Sequence, residues 1–381
     1  MRHSSLRRTA LLGFLILWAI PMLLISGDAE RYFDTAPAAH REIRLTVFNP
    51  SIATVKTVAA LRDLGFLDVP GLVVIGVYHR KEATDYAESQ RYVRDGGLDW
   101  FHFHEVSAAI SEDSLFRENA CTAEYEKIFR GSDGIIFFGG PDIPPGVYRE
   151  KANFLTIVED PFRHFFEVSA VFHLLGGSQN PAFRGLLESR PLFPILGICL
   201  GCQTLNVGTG GTLIQDIWQE VYGTATVEDA LALGSPQWHT NPYSRLHPGE
   251  NLITCSFHRI VLDEKGLLGV SMGFSSTDRP RVLSSHHQAL ETLGRGLKTI
   301  ATSEDGRIIE AVAHEKYVRV LGVQFHPENR MLWESEPRFH ESPGDSPFSY
   351  KGLLEGAPPS WSFHKAIWSW MGSALKSGRT S

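Results

Sequence analysis

The sequence has few cysteines, with four among 381 residues: Cys121, Cys199, Cys202 and Cys255. This number is too small for a disulfide-built scaffold in a chain of this length. The 36 basic and 43 acidic residues are mixed without long runs of one sign and give a formal net charge of −7. The sequence therefore shows no nucleic-acid-binding footprint. It also has no internal repeat and no low-complexity block, so the chain is expected to form an ordinary α/β core of large size.

The first 29 residues have the pattern of a targeting segment. Arg2, Arg7 and Arg8 precede an uncharged, mostly apolar run from Ala10 to Ser26, and residues 27–29 form a small-x-small cleavage site. The run is at the short end of what spans a bilayer, so a cleaved signal peptide and an uncleaved anchor both remain open. In either case the positive end stays in the cytoplasm. The rest of the chain is predicted to be exported, periplasmic or membrane-anchored, with membrane contact only through this segment.

Apolar runs alternate with helix-patterned segments between residues 43 and 207, which predicts a mostly parallel sheet with helices on both faces. Strands are predicted at 43–48, 71–78, 100–105, 134–138 and just before residue 199, and helices at 52–64, 82–94, 120–129, 158–175 and from 203. After residue 258 short alternating strands are predicted, at 258–262, 281–285, 297–302, 308–314 and 318–325. Residues 218–250 and 334–359 are predicted to be loops, and 360–375 an added C-terminal helix. One domain is expected over residues 42–376.

The stretch Phe193–Gln203 is the centre of this pattern. A short apolar run leads into Gly197-x-Cys199-x-Gly201, and a helix-compatible segment follows. Glycines on both sides of a nucleophile are typical of the nucleophile elbow, where the chain turns sharply from strand to helix. A thiol at that turn has its thiolate stabilised by the helix dipole and by unpaired backbone N–H groups. Two other interpretations remain open here: Cys199 as a buried core cysteine, and Cys199 with Cys202 as a redox C-x-x-C pair.

Two further motifs suit the same chemistry. The predicted strand that ends at Phe325 is followed by His326-Pro327-Glu328, which supplies a base and a carboxylate that can orient it. The strand at 134–138 ends in Gly139-Gly140, at the sheet edge where α/β proteins bind ligands. Glycines there allow backbone N–H groups to approach a developing oxyanion.

Together these motifs resemble the class I glutamine amidotransferase superfamily. The matching pieces are the segments at 197–203 and 322–328. The chain is most similar to the gamma-glutamyl-gamma-aminobutyrate hydrolase and gamma-glutamyl hydrolase branch, through the segments at 203–216 and 284–289 and the Gly-Gly-x-Asp-x-x-Pro motif from Gly139. The resemblance implies a flavodoxin-like fold and a cysteine hydrolase of gamma-glutamyl amide or isopeptide bonds, acting through a gamma-glutamyl thioester without a cofactor or metal.

The resemblance also implies roles for individual residues. Cys199 attacks the gamma carbonyl, His326 moves protons and Glu328 orients His326, while the amides of Gly140 and Leu200 hold the oxyanion. Substrate contacts are implied for a second set of side chains: Gln203, His286, His287 and Gln288. For the two histidines, an ordinary surface or turn position remains the alternative.

The expected partner is a small-molecule gamma-glutamyl substrate, and a homo-oligomer is compatible with the sequence. Two other functions are considered. One is a glutaminase subunit that supplies ammonia to a synthase. Against it, this chain contains no synthase domain, and an exported glutaminase would be separated from cytosolic partners. The other is a catalytically silent gamma-glutamyl-binding protein, against which the intact Cys-His-Glu set argues.

Overall fold

The computed structural model describes residues 30–35 and 42–377. The predicted export segment at residues 1–29 lies outside them. Of the helices in the described ranges, none has the length and apolar character needed to cross a membrane.

The secondary structure alternates between strands and helices in the first half of the chain and is richer in strands in the second. The strands are β1 (Ile43–Phe48), β2 (Leu72–His79), β3 (Phe101–Val106), β4 (Gly134–Phe137), β5 (Ile195–Ile198), β6 (Leu213–Ile214), β7 (Ser256–Leu262), β8 (Arg281–Ser284), β9 (Ala289–Leu290), β10 (Leu297–Ser303), β11 (Ile309–His314) and β12 (Val320–Val323). The helices are α1 (Tyr32–Thr35), α2 (Ile52–Asp63), α3 (Tyr86–Asp95), α4 (Thr122–Gly131), α5 (Pro161–Leu175), α6 (Leu200–Gly208), α7 (Val227–Leu233), α8 (Tyr243–Leu246), α9 (Leu267–Met272), α10 (Tyr350–Glu355) and α11 (Ser360–Ser377).

One twisted sheet organises the described part of the chain, with the strand order β3-β2-β1-β4-β5-β12-β11-β10-β7-β8. The strands from β3 to β12 in this order are all parallel. From β12 onward the pairs are antiparallel. The short strands β6 and β9 pair with each other beside β11. The carboxyl ends of the central parallel strands thus lie at one edge of the sheet, which is where α/β proteins bind their ligands.

Helices cover both faces of the parallel region, as predicted. Side chains of α2, α3 and α11 pack on one face, and side chains of α4, α5 and α6 pack on the other. Strand β4 shows why both faces are apolar: Ile136 belongs to the first cluster, whereas Ile135 and Phe137 belong to the second. Alternate residues of a strand point to opposite faces, so a doubly covered strand must be apolar throughout. The predicted α/β fold class is confirmed.

The structure corrects several predicted boundaries. Helix α5 begins at Pro161 and not at 158, because Asp160 caps it through the Arg163 amide and proline occupies the first helical position. Helix α6 begins at Leu200, three residues before the predicted start. The two predicted loops contain helices: a π-helical turn, α7 and α8 between 217 and 246, and α10 between 350 and 355. Helix α9 and the two-residue strands β6 and β9 were not predicted, since such short elements show little periodicity.

Candidate active site

Cys199 occupies the predicted turn between β5 and α6. Its backbone has φ +52° and ψ −107°, a conformation that costs a non-glycine residue free energy and is typical of functional turns. A Cβ on Gly197 would lie 2.5 Å from the Gly201 carbonyl oxygen, and a Cβ on Gly201 would overlap the Phe137 carbonyl group. Both glycines are therefore required by close backbone approach, and the prediction of a sharp elbow is confirmed.

His326 and Glu328 follow the neighbouring parallel strand, β12. The His326 ring places Nδ1 2.7 Å from Glu328 Oε1, and its backbone amide donates to the Leu283 carbonyl oxygen of β8 at 2.9 Å. The turn between them is held from the C-terminal helix, where the indole N–H of Trp368 donates to the Pro327 carbonyl oxygen at 2.9 Å. The carboxylate thus fixes the orientation of the imidazole, as the triad pattern requires.

The structure brings Cys199 and His326 together around Gly139. A Cβ built on Gly139 would lie 3.5 Å from Cys199 Cβ and 3.1 Å from His326 Cε1. Burial by itself would lower the pKa of His326, but the Glu328 carboxylate and the Cys199 sulfur raise it well above its ordinary value. The protonated ring is therefore favoured beside the sulfur, which is the charge state that supports a thiolate nucleophile.

The two amides predicted to hold the oxyanion adjoin this pair. Leu200 is the first residue of α6, and Gly140 follows Gly139 at the end of β4. Within the described ranges, neither backbone N–H donates a hydrogen bond to another main-chain group. A Cβ on Gly140 would lie 2.9 Å from Leu200 Cδ2, so the two residues are neighbours. Both N–H groups are thus available to a substrate oxygen.

Three glutamines contact one another beside the nucleophile. Gln203, in the first turn of α6, donates to the Gln288 carbonyl oxygen at 3.4 Å and to Gln324 Oε1 at 3.5 Å. Gln324 Nε2 lies 3.8 Å from Cys199 Sγ. The Gln288 side-chain amide is buried and has no hydrogen-bond partner among the described residues. These groups offer donors and acceptors beside the thiol, and the sequence prediction missed Gln324.

His287 bridges two carboxylates at the edge of the site. Its Nε2 lies 3.0 Å from Asp142 Oδ2, and its Nδ1 lies 3.3 Å from Asp216 Oδ2. Burial opposes the charged ring, but the two carboxylates raise the pKa of His287 to about 9. His287 and Asp216 also line a cavity of about 340 Å³ with Trp218 and Arg245. Neither Cys199 nor Asp142 lines that cavity.

The neighbouring His286 points the other way, into a buried polar cluster. His286 is 5% exposed, and its ring lies 4.8 Å from that of His239 between centroids. In the same cluster His258 Nε2 lies 3.0 Å from Glu310 Oε1. Ligand-type atoms of His239, His258 and Glu310 all lie within 4.8 Å of one another.

The charge states of this cluster follow from its contacts. Burial opposes ionisation of both partners, but each stabilises the charge of the other: the pKa of His258 is raised, and that of Glu310 is held well below its usual range. The cluster is therefore a buried ion pair behind the site. The surface alternative for His286 is wrong, and its predicted substrate contact remains a prediction.

The other three cysteines are Cys121, Cys202 and Cys255. All four thiols are free and buried. Cys202 is fully buried, and a Cβ on Gly322 would lie 2.8 Å from its Sγ, so the side chain faces β12. Burial raises the pKa of Cys202 well above its ordinary value, which disfavours the thiolate needed for redox exchange.

The chain is similar in sequence to several known proteins. The Peptidase C26 family model matches residues 74–328. A glutamine amidotransferase-like protein of Lactococcus lactis is 33% identical over 204 residues, covering 54% of this chain and 68% of that protein. The anthranilate synthase beta subunit 1 of Arabidopsis thaliana is 26% identical over 155 residues, covering 40% and 43%.

A solved structure of a glutamine amido transferase from Methylobacillus flagellatus aligns with a TM-score of 0.39 and 12% identity, covering 88% of this chain and 96% of that one. The match to the family model spans more than half of the chain. The chain belongs to the Peptidase C26 family, within the class I glutamine amidotransferase superfamily.

Proposed function

We propose that this protein hydrolyses gamma-glutamyl amide or isopeptide bonds through a thioester on Cys199. The observation that carries the proposal is the strained elbow at Cys199 beside the His326–Glu328 pair, with two unpartnered backbone amides adjoining it. Each part corresponds to a need of acyl transfer: a nucleophile, a proton carrier, an orienting carboxylate and an oxyanion site.

The proposed reaction has two halves. The Cys199 thiolate attacks the gamma-carbonyl carbon, and the negative charge moves to the carbonyl oxygen, which the Gly140 and Leu200 amides stabilise. The carbon–nitrogen bond then breaks, and the protonated His326 gives its proton to the departing amine. In the second half neutral His326 takes a proton from water, the hydroxide oxygen attacks the thioester carbon, and glutamate leaves with the thiolate and the protonated ring restored.

The binding site for the glutamyl head group is proposed from the polar groups near the Cys199 thiol. Gln203 and Gln288 supply donors and acceptors for the glutamyl head group. Both ring nitrogens of His287 are bound by Asp142 and Asp216, and its predicted contact with the substrate stays a prediction. Further, we propose that the catalytic domain acts outside the cytoplasm, on the strength of the arginine-flanked apolar segment at residues 1–29.

A glutaminase subunit is the second candidate, favoured by one observation: the related Arabidopsis protein is named as a subunit of anthranilate synthase. The two functions differ in their substrates. A stand-alone hydrolase should accept gamma-glutamyl amines or peptides without a partner, whereas a glutaminase subunit should release ammonia from glutamine and respond to a synthase.

The decisive experiment is a screen of the purified protein against glutamine, gamma-glutamyl amines and gamma-glutamyl peptides, with release of glutamate as the readout. Cys199→Ala and Cys199→Ser should abolish turnover and keep the wild-type circular dichroism spectrum, while Cys202→Ala stays active. Mass spectrometry of a quenched reaction should locate the acyl group on Cys199. Acylation of Cys202 with Cys199 unmodified would refute the assignment.

A further inference from the structure

Arg163 is a buried cation directly beneath the Gly139–Gly140 turn. It lies in the first turn of α5 and is 5% exposed. Its Nε donates to Glu167 Oε1 at 2.8 Å, one helical turn later, and Glu167 is 1% exposed. Removing a guanidinium and a carboxylate from water carries a large desolvation cost, and a buried ion pair is weak evidence for a purely stabilising role. The position of the ion pair therefore points to a functional role at the adjacent Gly139–Gly140 turn.

The contacts of the guanidinium show what it holds. Arg163 Nη2 donates to the carbonyl oxygens of Phe138, at 3.2 Å, and Gly139, at 3.0 Å. These are the carbonyl groups at the end of β4, just before the predicted oxyanion amide. Hydrogen bonds from a charged donor are stronger than neutral ones, so the peptide that joins Gly139 to Gly140 is held firmly on one side.

The geometry of the peptide bond then fixes the direction of the Gly140 amide. In a trans peptide the C=O and the following N–H point in opposite directions. Because the Gly139 carbonyl points toward Arg163, the Gly140 N–H must point away from Arg163. That N–H has no main-chain hydrogen-bond partner in the described residues. A Cβ built on the preceding residue, Gly139, would lie within 3.5 Å of both Cys199 and His326. The amide is thus left without a partner in a turn that adjoins the nucleophile and its proton carrier.

The lack of a side chain at Gly140 completes the arrangement. A Cβ at this position would overlap the Arg163 guanidinium and press on Leu200, the residue that supplies the second amide. The turn is therefore enclosed between Arg163 and Leu200. Its conformation depends on both neighbours.

We propose that Arg163, anchored by Glu167, is the positioning residue of the oxyanion site: it orients the Gly140 amide toward the gamma-carbonyl oxygen in the transition state. The inference rests on the proposed function, because it assumes acyl transfer at Cys199. Arg163 acts through the backbone and does not touch the substrate. Preorganised donors are effective because they need no reorganisation as charge develops, and Arg163 supplies that preorganisation for one of the two donors.

The test compares Arg163→Lys and Glu167→Gln with Arg130→Gln. Arg130 forms an exposed ion pair with Glu126 on α4, also at a spacing of four residues, and serves as the matched surface control. Three quantities are measured on each folded variant: kcat and KM for the best gamma-glutamyl substrate, the inhibition constant of the aldehyde analogue of glutamate, and the rate of Cys199 alkylation by iodoacetamide. The aldehyde forms a tetrahedral adduct whose oxygen occupies the oxyanion position, whereas alkylation does not use that position.

For Arg163→Lys we expect kcat to fall about 100-fold, the cost of a small misplacement of a catalytic group, with KM nearly unchanged. Aldehyde affinity should fall by a similar factor, and the alkylation rate should stay at the wild-type value. Glu167→Gln should change the same quantities in the same direction by a smaller factor, and it keeps the inference testable if Arg163→Lys does not fold. Arg130→Gln should change none of them.

Two results would overturn the inference. In one, aldehyde affinity is unchanged in every variant that folds, whether or not kcat falls. In the other, the alkylation rate falls together with kcat, which indicates a general disturbance of the site. Failure of the proposed function is distinguishable, since the wild-type protein would then neither turn over any gamma-glutamyl compound nor form the aldehyde adduct.

Discussion

The contact between Glu328 and His326 gives a prediction whose size follows from the structure. The substitution Glu328→Gln keeps the shape of the side chain and removes its charge. The hydrogen bond to His326 Nδ1 is 2.7 Å long and joins two largely buried side chains, which are 17% and 12% exposed. A hydrogen bond to a charged group contributes about 1.5–3 kcal/mol. If it is realised fully only when the ring is protonated in the transition state, kcat should fall about 10- to 100-fold.

The pH profile provides a second and more specific readout. The Glu328 carboxylate helps to raise the pKa of His326, so its removal lowers that pKa. The protonated ring is needed to give a proton to the leaving amine, and activity is lost as the pH rises through its pKa. The alkaline limb of kcat/KM should therefore move to lower pH in Glu328→Gln.

The assay is steady-state turnover of one gamma-glutamyl substrate between pH 5 and 10 for the wild type, Glu328→Gln and His326→Ala. Glu336→Gln is the matched control, because Glu336 is 77% exposed and makes only a surface ion pair. His326→Ala should cost about as much as loss of Cys199, since members of a triad act as a unit. Wild-type kcat together with an unmoved alkaline limb in Glu328→Gln would refute the orienting role.

Three further predictions concern the support of the site. Glu310→Gln should lower the free energy of unfolding by about 3–5 kcal/mol, because it leaves a buried imidazolium without its counter-charge. If urea denaturation shows a loss of only about 0–1 kcal/mol, as for an exposed ion pair, the cluster is not ionised. Trp368→Phe removes the hydrogen bond to Pro327 while keeping an aromatic ring, so Tm should fall by about 1–2 °C in a chain of this length, and kcat should fall less than in Glu328→Gln. An equal drop in Tm for Trp370→Phe, at a partly buried position, would show that the hydrogen bond is not the cause. Without reductant the purified protein should be active and show four free thiols on denaturation. If activity requires reduction and Cys202→Ala removes that requirement, the resting protein contains a Cys199–Cys202 disulfide and the interpretation of Cys202 as a core thiol is wrong.

The elbow and the strand before His326 were predictable because their apolar runs are bounded by glycine and proline. The direction of Arg163 was not, since an arginine in the first turn of a helix usually reaches solvent, and the buried Glu167 that pairs with it lies in the same apolar stripe of α5. His286 and His287 illustrate a second limit. Neighbours in an extended segment point to opposite sides, so one of the two had to point inward. Which of the two histidines points inward depends on the positions of Glu310 and Asp142. Both are distant from the histidines in sequence, so the sequence alone does not decide it.

The pairing of β5 with β12 has a consequence for the folding kinetics of the chain. These strands place the thiol beside its imidazole, yet the two side chains belong to segments more than 120 residues apart in the sequence. Parallel pairing over such a separation closes a long loop before any contact compensates the lost entropy, so it is intrinsically slow. The nucleophile therefore acquires its proton carrier only when the two halves of the sheet have joined. Recovery of turnover during refolding should follow this joining step and lag behind the formation of helices.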